Sequence, residues 1–95
     1  MCFVWDETKD RANRRKHGMS FATARLVFDD PLQLSVFDGH HDGEERWKTF
    51  GMVGSVVILL VVHTHAQQDD GDVIIRIISA RKATKRERDR YEESA

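Results

Sequence analysis

The hydrophobic and polar positions at the start of the chain predict one short strand and two helices. Residues 3–5 are typical of a strand, and Asp6 can cap a helix over residues 7–17. Ser20 can cap a second helix that extends to Phe28. Apolar residues recur every three or four positions along that helix and would form one buried stripe, which consists of Phe21, Ala24, Val27 and Phe28.

From residue 32 onward the apolar period changes from about 3.6 to 2, which indicates half-buried strands. Four strands are predicted, and polar turns join them into an antiparallel meander. The polar segment 38–43 predicts an open loop in which two glycines supply positive φ angles. The expected strand bounds are 32–36, 46–52, 56–65 and 72–80.

The last predicted element is a polar helix over residues 84–93. Thr84 and Glu87 have the spacing of a capping box, and Tyr91 is the only large apolar residue before the helix ends. Such a helix is usually a loosely docked surface element or part of a partner interface. The element order predicts an α+β fold, in which an antiparallel sheet is covered on one face by two N-terminal helices and a C-terminal helix.

Length and composition indicate a single domain over residues 1–95, since a chain of this size has no room for a second core. The one cysteine, Cys2, cannot form an intramolecular disulfide, which fits a reducing compartment. The longest apolar run, residues 56–62, is far shorter than the roughly 20 residues that span a membrane. The start of the chain has no export signal pattern. We therefore expect a cytoplasmic protein that has no membrane association.

The net charge is only −1, but the charges are segregated along the chain. Residues 9–25 contain six basic residues and one acidic residue, and residues 81–90 contain six basic and two acidic residues. Residues 29–45 contain six acidic residues and no Lys or Arg. The two basic blocks are either solvated helices or parts of one phosphate-binding surface. In the second case, the candidate contacts to a nucleic-acid backbone include Lys16, Lys82 and Lys85.

Four strand cations are the candidates for binding an anion. Arg76 lies on an otherwise apolar strand, and Arg81 follows just beyond its end. A guanidinium in a half-buried strand is costly unless it is paired or faces an open cleft. Arg76 therefore either pairs with an acid such as Glu45 or lines a groove for an anion. The same argument applies to Arg46 and Lys48, which would stand together on one side of their strand.

Cleavage of RNA without a metal needs a base for the 2′-hydroxyl, an acid for the leaving oxygen and positive charge beside the phosphorane. Arginines and lysines can supply the charge. His17 would lie at a helix C-terminus, where the helix dipole favours the imidazolium form, but a plain helix-terminal role explains it equally well. Tyr91 is either catalytic or the packing anchor of its helix. The candidate acids and bases are His17, Tyr91, His63 and Glu45.

A metal site is a weaker interpretation of the histidines. His40, His41 and Asp42 lie together in a polar segment, and His63 and His65 share one strand face. Their spacing matches no established metal motif, and the nucleotide-binding and metalloprotease motifs are missing from the sequence. We expect neither a metal nor a cofactor.

Segments along almost the whole chain resemble the BrnT family of toxins. The most specific segments are Lys16-His17-Gly18 and residues 76–83. The matching residues are, in order, Phe3, Trp5, Asp6, Lys9, Asn13, Lys16, His17, Gly18, Ser20, Phe21, Phe28, Asp30, Pro31, Glu45, Arg46, Gly51, Arg76, Ile77, Ile78, Ser79, Ala80, Arg81, Ala83, Glu87, Arg88 and Tyr91.

The resemblance implies a RelE-like fold and a metal-independent ribonuclease that blocks translation. It also implies a BrnA-like antitoxin that neutralises the toxin and binds operator DNA, with assembly as a dimer or as a heterotetramer with the antitoxin. The near-zero net charge departs from the strongly basic relatives of this fold. The alternative is a non-catalytic partner in a DNA-binding repressor complex. On the first hypothesis, attack by the 2′-hydroxyl is assisted by residues among Arg76, Arg81, His17, Tyr91, Arg46 and Lys48, and RNA also contacts Lys16, Lys82 and Lys85.

Overall fold

The structure is a computed structural model that describes residues 1–55 and 57–94. Val56, the first residue of a predicted strand, and Ala95, the last of the predicted domain, lie outside the described residues. The elements are β1 (Cys2–Val4), α1 (Glu7–His17), α2 (Phe21–Ala24), a 3₁₀ helix (Arg25–Asp29), β2 (Leu34–His41), β3 (Glu44–Val53), β4 (Val57–Gln67), β5 (Val73–Lys82) and α3 (Lys85–Ser94).

The five strands form one mixed sheet in the order β1-β5-β4-β3-β2. The four long strands pair antiparallel as the predicted meander, but β1 pairs parallel to β5, with Phe3 beside Ile75. The expectation of a purely antiparallel sheet is therefore wrong. The prediction failed because β1 pairs with β5, which is distant in sequence, and no short-range sequence pattern sets the relative direction of two such strands. Among the described residues, no helix is long and apolar enough to cross a membrane.

The polar segment between the first two long strands is a tight hairpin and not the predicted open loop. β2 continues to His41, and the turn consists of Asp42 and Gly43, whose φ angles are 52° and 80°. Two successive positive φ angles are typical of the type I′ turn, which suits the twist of paired strands. The prediction ended this strand at residue 36 because the rest of it carries polar residues on the edge of the sheet, where no apolar alternation is needed.

Alternate residues of the strands contribute to two apolar clusters, one on each face of the sheet. The first cluster joins Phe21 and Val27, from the N-terminal helical segments, to strand residues such as Leu59 and Ile77. The second cluster lies under α3 and consists of Phe50, Ile58, Leu60, Ala83 and Tyr91. Because Leu59 and Leu60 point to opposite faces, α3 covers the face opposite to α2. The expectation that all helices cover one face is wrong for α3.

Helix α1 lies along the part of the β5 edge that β1 leaves unpaired. The Asn13 amide donates to the Ala80 carbonyl at 2.8 Å, and its oxygen accepts from the Ala80 amide at 3.1 Å. This side chain therefore takes the place of a neighbouring strand, which satisfies the backbone at the sheet edge. Asp10 accepts a hydrogen bond from the Phe21 amide at 2.8 Å and so ties α1 to α2.

Candidate nucleic-acid interface

Four strand cations lie on the face of the sheet that carries α3, and we call this surface the basic face. Trp47 of β3 pairs with His63 of β4, and Thr64 of β4 pairs with Arg76 of β5. Arg46 directly precedes Trp47 in β3. Alternation therefore places Arg46, Thr64 and Arg76 in one row across three strands, with the two arginine backbones roughly 10 Å apart. This row lies outside the cluster under α3. The basic face consists of Arg46, Lys48, Arg76 and Arg81.

Arg76 is paired but solvent-accessible. Its Nη2 atom donates to both carboxylate oxygens of Glu44, at 2.6 and 2.7 Å. The two side chains are 36% and 50% exposed. The hydrogen bond and charge of Arg76, followed by the charges of Arg46 and Lys9, hold the pKa of Glu44 below its usual value. The predicted ion pair thus forms with Glu44, whereas Glu45 lies 3.8 Å from His40.

Arg46 differs from the other cations of the basic face because it has no acidic partner among the described residues. Its Nε atom is buried and has no hydrogen-bond partner there. Such an unpaired buried donor usually destabilises a fold by about 1–3 kcal/mol. For Arg76, no hydrogen bond of Nη1 or Nε is found within residues 1–55 and 57–94. An external anion can therefore use the Nη1 and Nε nitrogens of Arg76, whereas the buried Nε atom of Arg46 is closed to it.

Arg81 holds α3 against the sheet. Its two terminal nitrogens donate to the two oxygens of Glu87, at 2.7 and 3.0 Å. This hydrogen bond lowers the pKa of Glu87 to about 2 and raises the pKa of Arg81. Glu87 also accepts from the Thr84 amide at 2.8 Å, and the Thr84 hydroxyl accepts from the Glu87 amide at 3.2 Å. The predicted capping box is therefore present, and Arg81 is built into it.

Lys48 lies beside a second opening on the basic face. Its Nζ atom is 3.2 Å from the Asp38 carboxylate. A cavity of about 240 Å³ there is lined by residues that include Phe37, Lys48, Arg86 and Arg90. Strand β3 and helix α3 thus contribute cations to the same cavity.

Tyr91 is buried beneath α3 and lies outside the open row. It is 4% exposed, and its hydroxyl donates a hydrogen bond to Asp30. Burial, together with the neighbouring Asp30 carboxylate, raises the pKa of Tyr91 to about 12. The structure therefore gives Tyr91 the position of the packing anchor, which was one of its two predicted roles.

The remaining predicted residues lie at different places around the molecule. Residues seven apart on a helix differ by only about 20° in direction, so Lys16 lies on the same side of α1 as Lys9, whose charge acts on Glu44. His17 instead shares the side of Asp10, which faces α2. Lys82 alternates with Arg81 and therefore starts on the opposite face. Lys85 pairs with Asp89 at 3.0 Å on the exposed side of α3.

His63 is buried in a hydrogen-bonded chain on the face opposite to the basic face. Its Nδ1 donates to the Thr64 carbonyl at 3.0 Å, and its Nε2 is 2.7 Å from the Thr49 hydroxyl, which lies 2.7 Å from the Ser35 hydroxyl. Burial lowers the pKa of His63. The described residues contain no group of three or more His, Cys, Asp or Glu side chains that could hold a metal ion.

The main functional candidate that the sequence analysis did not identify is Glu44. Glu44, Arg46 and Lys48 alternate along β3, so the period of the strand could have placed the carboxylate beside the cations. The turn at Asp42 and Gly43 fixes that register, but the sequence pattern predicted a loop there. The register of a hairpin decides which of two adjacent acids faces an arginine on another strand.

A small α+β domain with arginines grouped on an open sheet face is suited to binding a polyanion. Comparison with protein families gives the class directly: residues 5–87 match the family described as "Ribonuclease toxin, BrnT, of type II toxin-antitoxin system". The chain therefore belongs to the BrnT family of ribonuclease toxins.

The same fold is found in the crystal structure of the Brucella abortus ribonuclease toxin, BrnT. The two chains are 22% identical, and the superposition has a TM-score of 0.62. It covers 90% of this chain and 99% of that one, so the folds agree over nearly their full length. A search with the sequence against curated proteins finds no match.

Proposed function

We propose that the chain is a metal-independent endoribonuclease that inhibits translation in the cytoplasm, and that its basic face binds the RNA. The observation that supports this best is the row of Arg46 and Arg76 on either side of Thr64, on the half of the sheet that α3 leaves open. Guanidinium groups bind phosphate through directed pairs of hydrogen bonds. A phosphate of the RNA would supply acceptors for the Arg76 nitrogens that have no partner among the described residues.

The proposed reaction is attack of the RNA 2′-hydroxyl on the adjacent phosphate. Glu44 lies beside Arg76 in this row and, like any carboxyl group with an ordinary pKa, is ionised at neutral pH, so it is the group that would accept the hydroxyl proton. The bond from the 2′-oxygen to phosphorus forms, the bond to the 5′-oxygen breaks, and that oxygen takes a proton from water at the exposed face. Arg46, Arg76 and Lys48 stabilise the charge that develops on the phosphorane.

The other predicted residues receive different roles in this proposal. Arg81 positions α3 beside the RNA through Glu87, and Lys16 contacts the RNA backbone at the edge of the basic face. Tyr91 and His17 stand apart from the row, so the proposal does not depend on either as an acid or base. Lys82 and Lys85 can bind only more distant phosphates. The order of two N-terminal helices and a four-stranded meander supports a RelE-like fold.

Membership of this family implies a cognate antitoxin. We propose that this partner neutralises the toxin by covering α3 and the adjoining cations, and that operator DNA is bound only by the complex, as a dimer or heterotetramer. Arg86 and Arg90 of α3 support this site because they are exposed and line the cavity beside Lys48. An acidic or amphipathic segment of the antitoxin complements this surface.

A second candidate is a non-catalytic partner in a repressor complex. It is favoured by the contacts of Arg76, Arg81 and Lys48 with carboxylates of the same chain, which reduce their charge toward RNA. Incubation of the purified chain with labelled RNA and a chelator distinguishes the ribonuclease from the non-catalytic repressor partner. Cleavage that leaves 2′,3′-cyclic phosphate and 5′-hydroxyl ends supports the ribonuclease. Intact RNA, together with operator binding by the paired complex, supports the repressor partner.

A further inference from the structure

An aromatic group lies on the face of the sheet opposite to the basic face, where β2 meets β3. The rings of Phe37 and Trp47 are 5.3 Å apart at 69°, and those of Phe37 and His40 are 5.5 Å apart at 75°. Phe37 is 45% exposed, so part of its ring is accessible at the edge strand. The accessible ring therefore extends the aromatic group to the surface of the molecule.

An open pocket of about 200 Å³ adjoins these rings and is lined by Ser35, Trp47, His63 and His65. Both ring nitrogens of His63 are engaged, by Thr49 and by the Thr64 carbonyl. Ser35 and His65 are exposed and offer polar atoms at the mouth. A pocket that combines an indole wall with hydroxyl and imidazole groups can stack one flat heterocycle and bond its edge. It is too small for a helix or a strand.

This pocket is connected to the basic face around the edge of the sheet. β2 is the edge strand, and Phe37 contacts Trp47 on one side while it also lines the cavity that contains Lys48, Arg86 and Arg90. The pairing of β2 with β3 is irregular between Phe37 and His40, and such irregularities commonly redirect side chains at sheet edges. A flexible single strand bound by these cations can therefore pass over Phe37.

We propose that Phe37 and Trp47, with Ser35 and His65, form a subsite for one unpaired base of the RNA bound on the basic face. The subsite selects one nucleotide of the strand that the basic face binds. The inference rests on the proposed RNA binding. A nucleobase fits the observations better than a protein segment, because the pocket has the size of one ring system and has polar atoms at its mouth.

The test uses single-stranded oligonucleotides with 2′-O-methyl groups, which cannot undergo attack by the 2′-oxygen. The protein carries Trp5→Phe, so that Trp47 is its only tryptophan. Binding is followed by quenching of Trp47 fluorescence and by anisotropy of the labelled oligonucleotide. Phe37→Ala and Phe37→Leu are compared with Leu32→Ala, a matched change of an exposed apolar residue outside the pocket. A thermal melt verifies that each variant is folded.

The subsite predicts quenching of Trp47 and affinity about tenfold or more weaker for both Phe37 variants, since a stacked base loses its ring partner. Leu32→Ala should bind like the parent, and Ser35→Ala should change the order of preference among A, C, G and U homopolymers. Unchanged affinity in folded Phe37 variants, with binding lost in Arg46→Ala, would overturn the subsite alone. Wild-type protein that neither binds nor cleaves RNA would overturn the proposed function. Loss of antitoxin binding without loss of RNA binding would show a protein-docking surface instead.

Discussion

The Tyr91 hydroxyl donates a hydrogen bond to the Asp30 carboxylate, and this contact joins the two sides of the sheet. Asp30 follows the 3₁₀ helix on one face, and Tyr91 belongs to α3 on the other. Asp30 also accepts from the Met52 amide at 2.8 Å and the Leu32 amide at 2.9 Å. Although burial opposes it, the hydrogen bonds from Met52, Tyr91 and Leu32 hold the pKa of Asp30 below its usual value.

Replacement of Tyr91 by Phe should lower the free energy of unfolding and leave RNA cleavage intact. The variant loses a hydrogen bond to a charged group, which typically contributes about 1.5–3 kcal/mol, and keeps most of the buried ring. Urea unfolding and the cleavage rate of the folded fraction are the measurements. A stable Tyr91→Phe protein that cannot cleave RNA would instead make the hydroxyl catalytic.

The pair of Arg81 and Glu87 should make the protein less stable in acid. The pKa of Glu87 is lowered to about 2 in the folded state, so its contribution is complete above the unfolded pKa of about 4.3 and is lost as pH falls toward 2. Glu87→Gln should therefore show a smaller drop in melting temperature between pH 5 and pH 2 than the wild type. Asp89→Asn is the control, since its exposed pair with Lys85 should contribute little. Parallel melting curves for Glu87→Gln and wild type would refute this role.

Charge reversal on α3 should slow association with the cognate antitoxin. Arg86 and Arg90 are exposed, and rim charges act mainly on the association rate. The double variant Arg86→Glu, Arg90→Glu should bind several-fold more slowly at low salt and lose most of the salt dependence. Arg15→Glu, an exposed change on α1, is the control. Association rates at several salt concentrations decide the matter, and equal salt slopes for all three proteins would rule out docking on α3.

Much of the fold follows from the periodicity of the sequence. The features that do not follow from it depend on contacts between residues that are distant in sequence. The period of 2 in β3 predicted that Arg46 and Lys48 share a face, and the apolar stripe of Phe21 and Val27 does pack on the sheet. The parallel pairing of β1 depends on where the chain returns after the N-terminal helices. The face of the sheet that α3 covers is set by one buried anchor, Tyr91. The hydrogen-bond partner of Tyr91 is Asp30, which is distant in sequence. Neither relation leaves a local pattern.

The basic residues of the candidate site could be predicted from the sequence more completely than its acidic residues. A charged residue in an apolar strand indicated that Arg76 either pairs with an acid or lines a groove for an anion, and the structure shows a pair with Glu44. The adjacent Glu45 was the example of such an acid, and only the register of the hairpin distinguishes Glu45 from Glu44. Arg81 was predicted as an anion-binding group, but its capping-box contact with Glu87 depends on the position of α3.

The central claim is that Arg46 and Arg76 bind and activate the RNA phosphate. Cleavage of labelled RNA in the presence of a chelator tests it, with Arg46→Ala and Arg76→Ala compared with wild type and with Arg15→Ala as the control. Loss of a group that stabilises the transition state typically lowers the rate on the order of 10²-fold, so both variants should lose that much. Arg76→Ala should still melt cooperatively near the wild-type temperature, because its pair with Glu44 is exposed. Wild-type cleavage rates in folded Arg46→Ala and Arg76→Ala proteins would contradict the account.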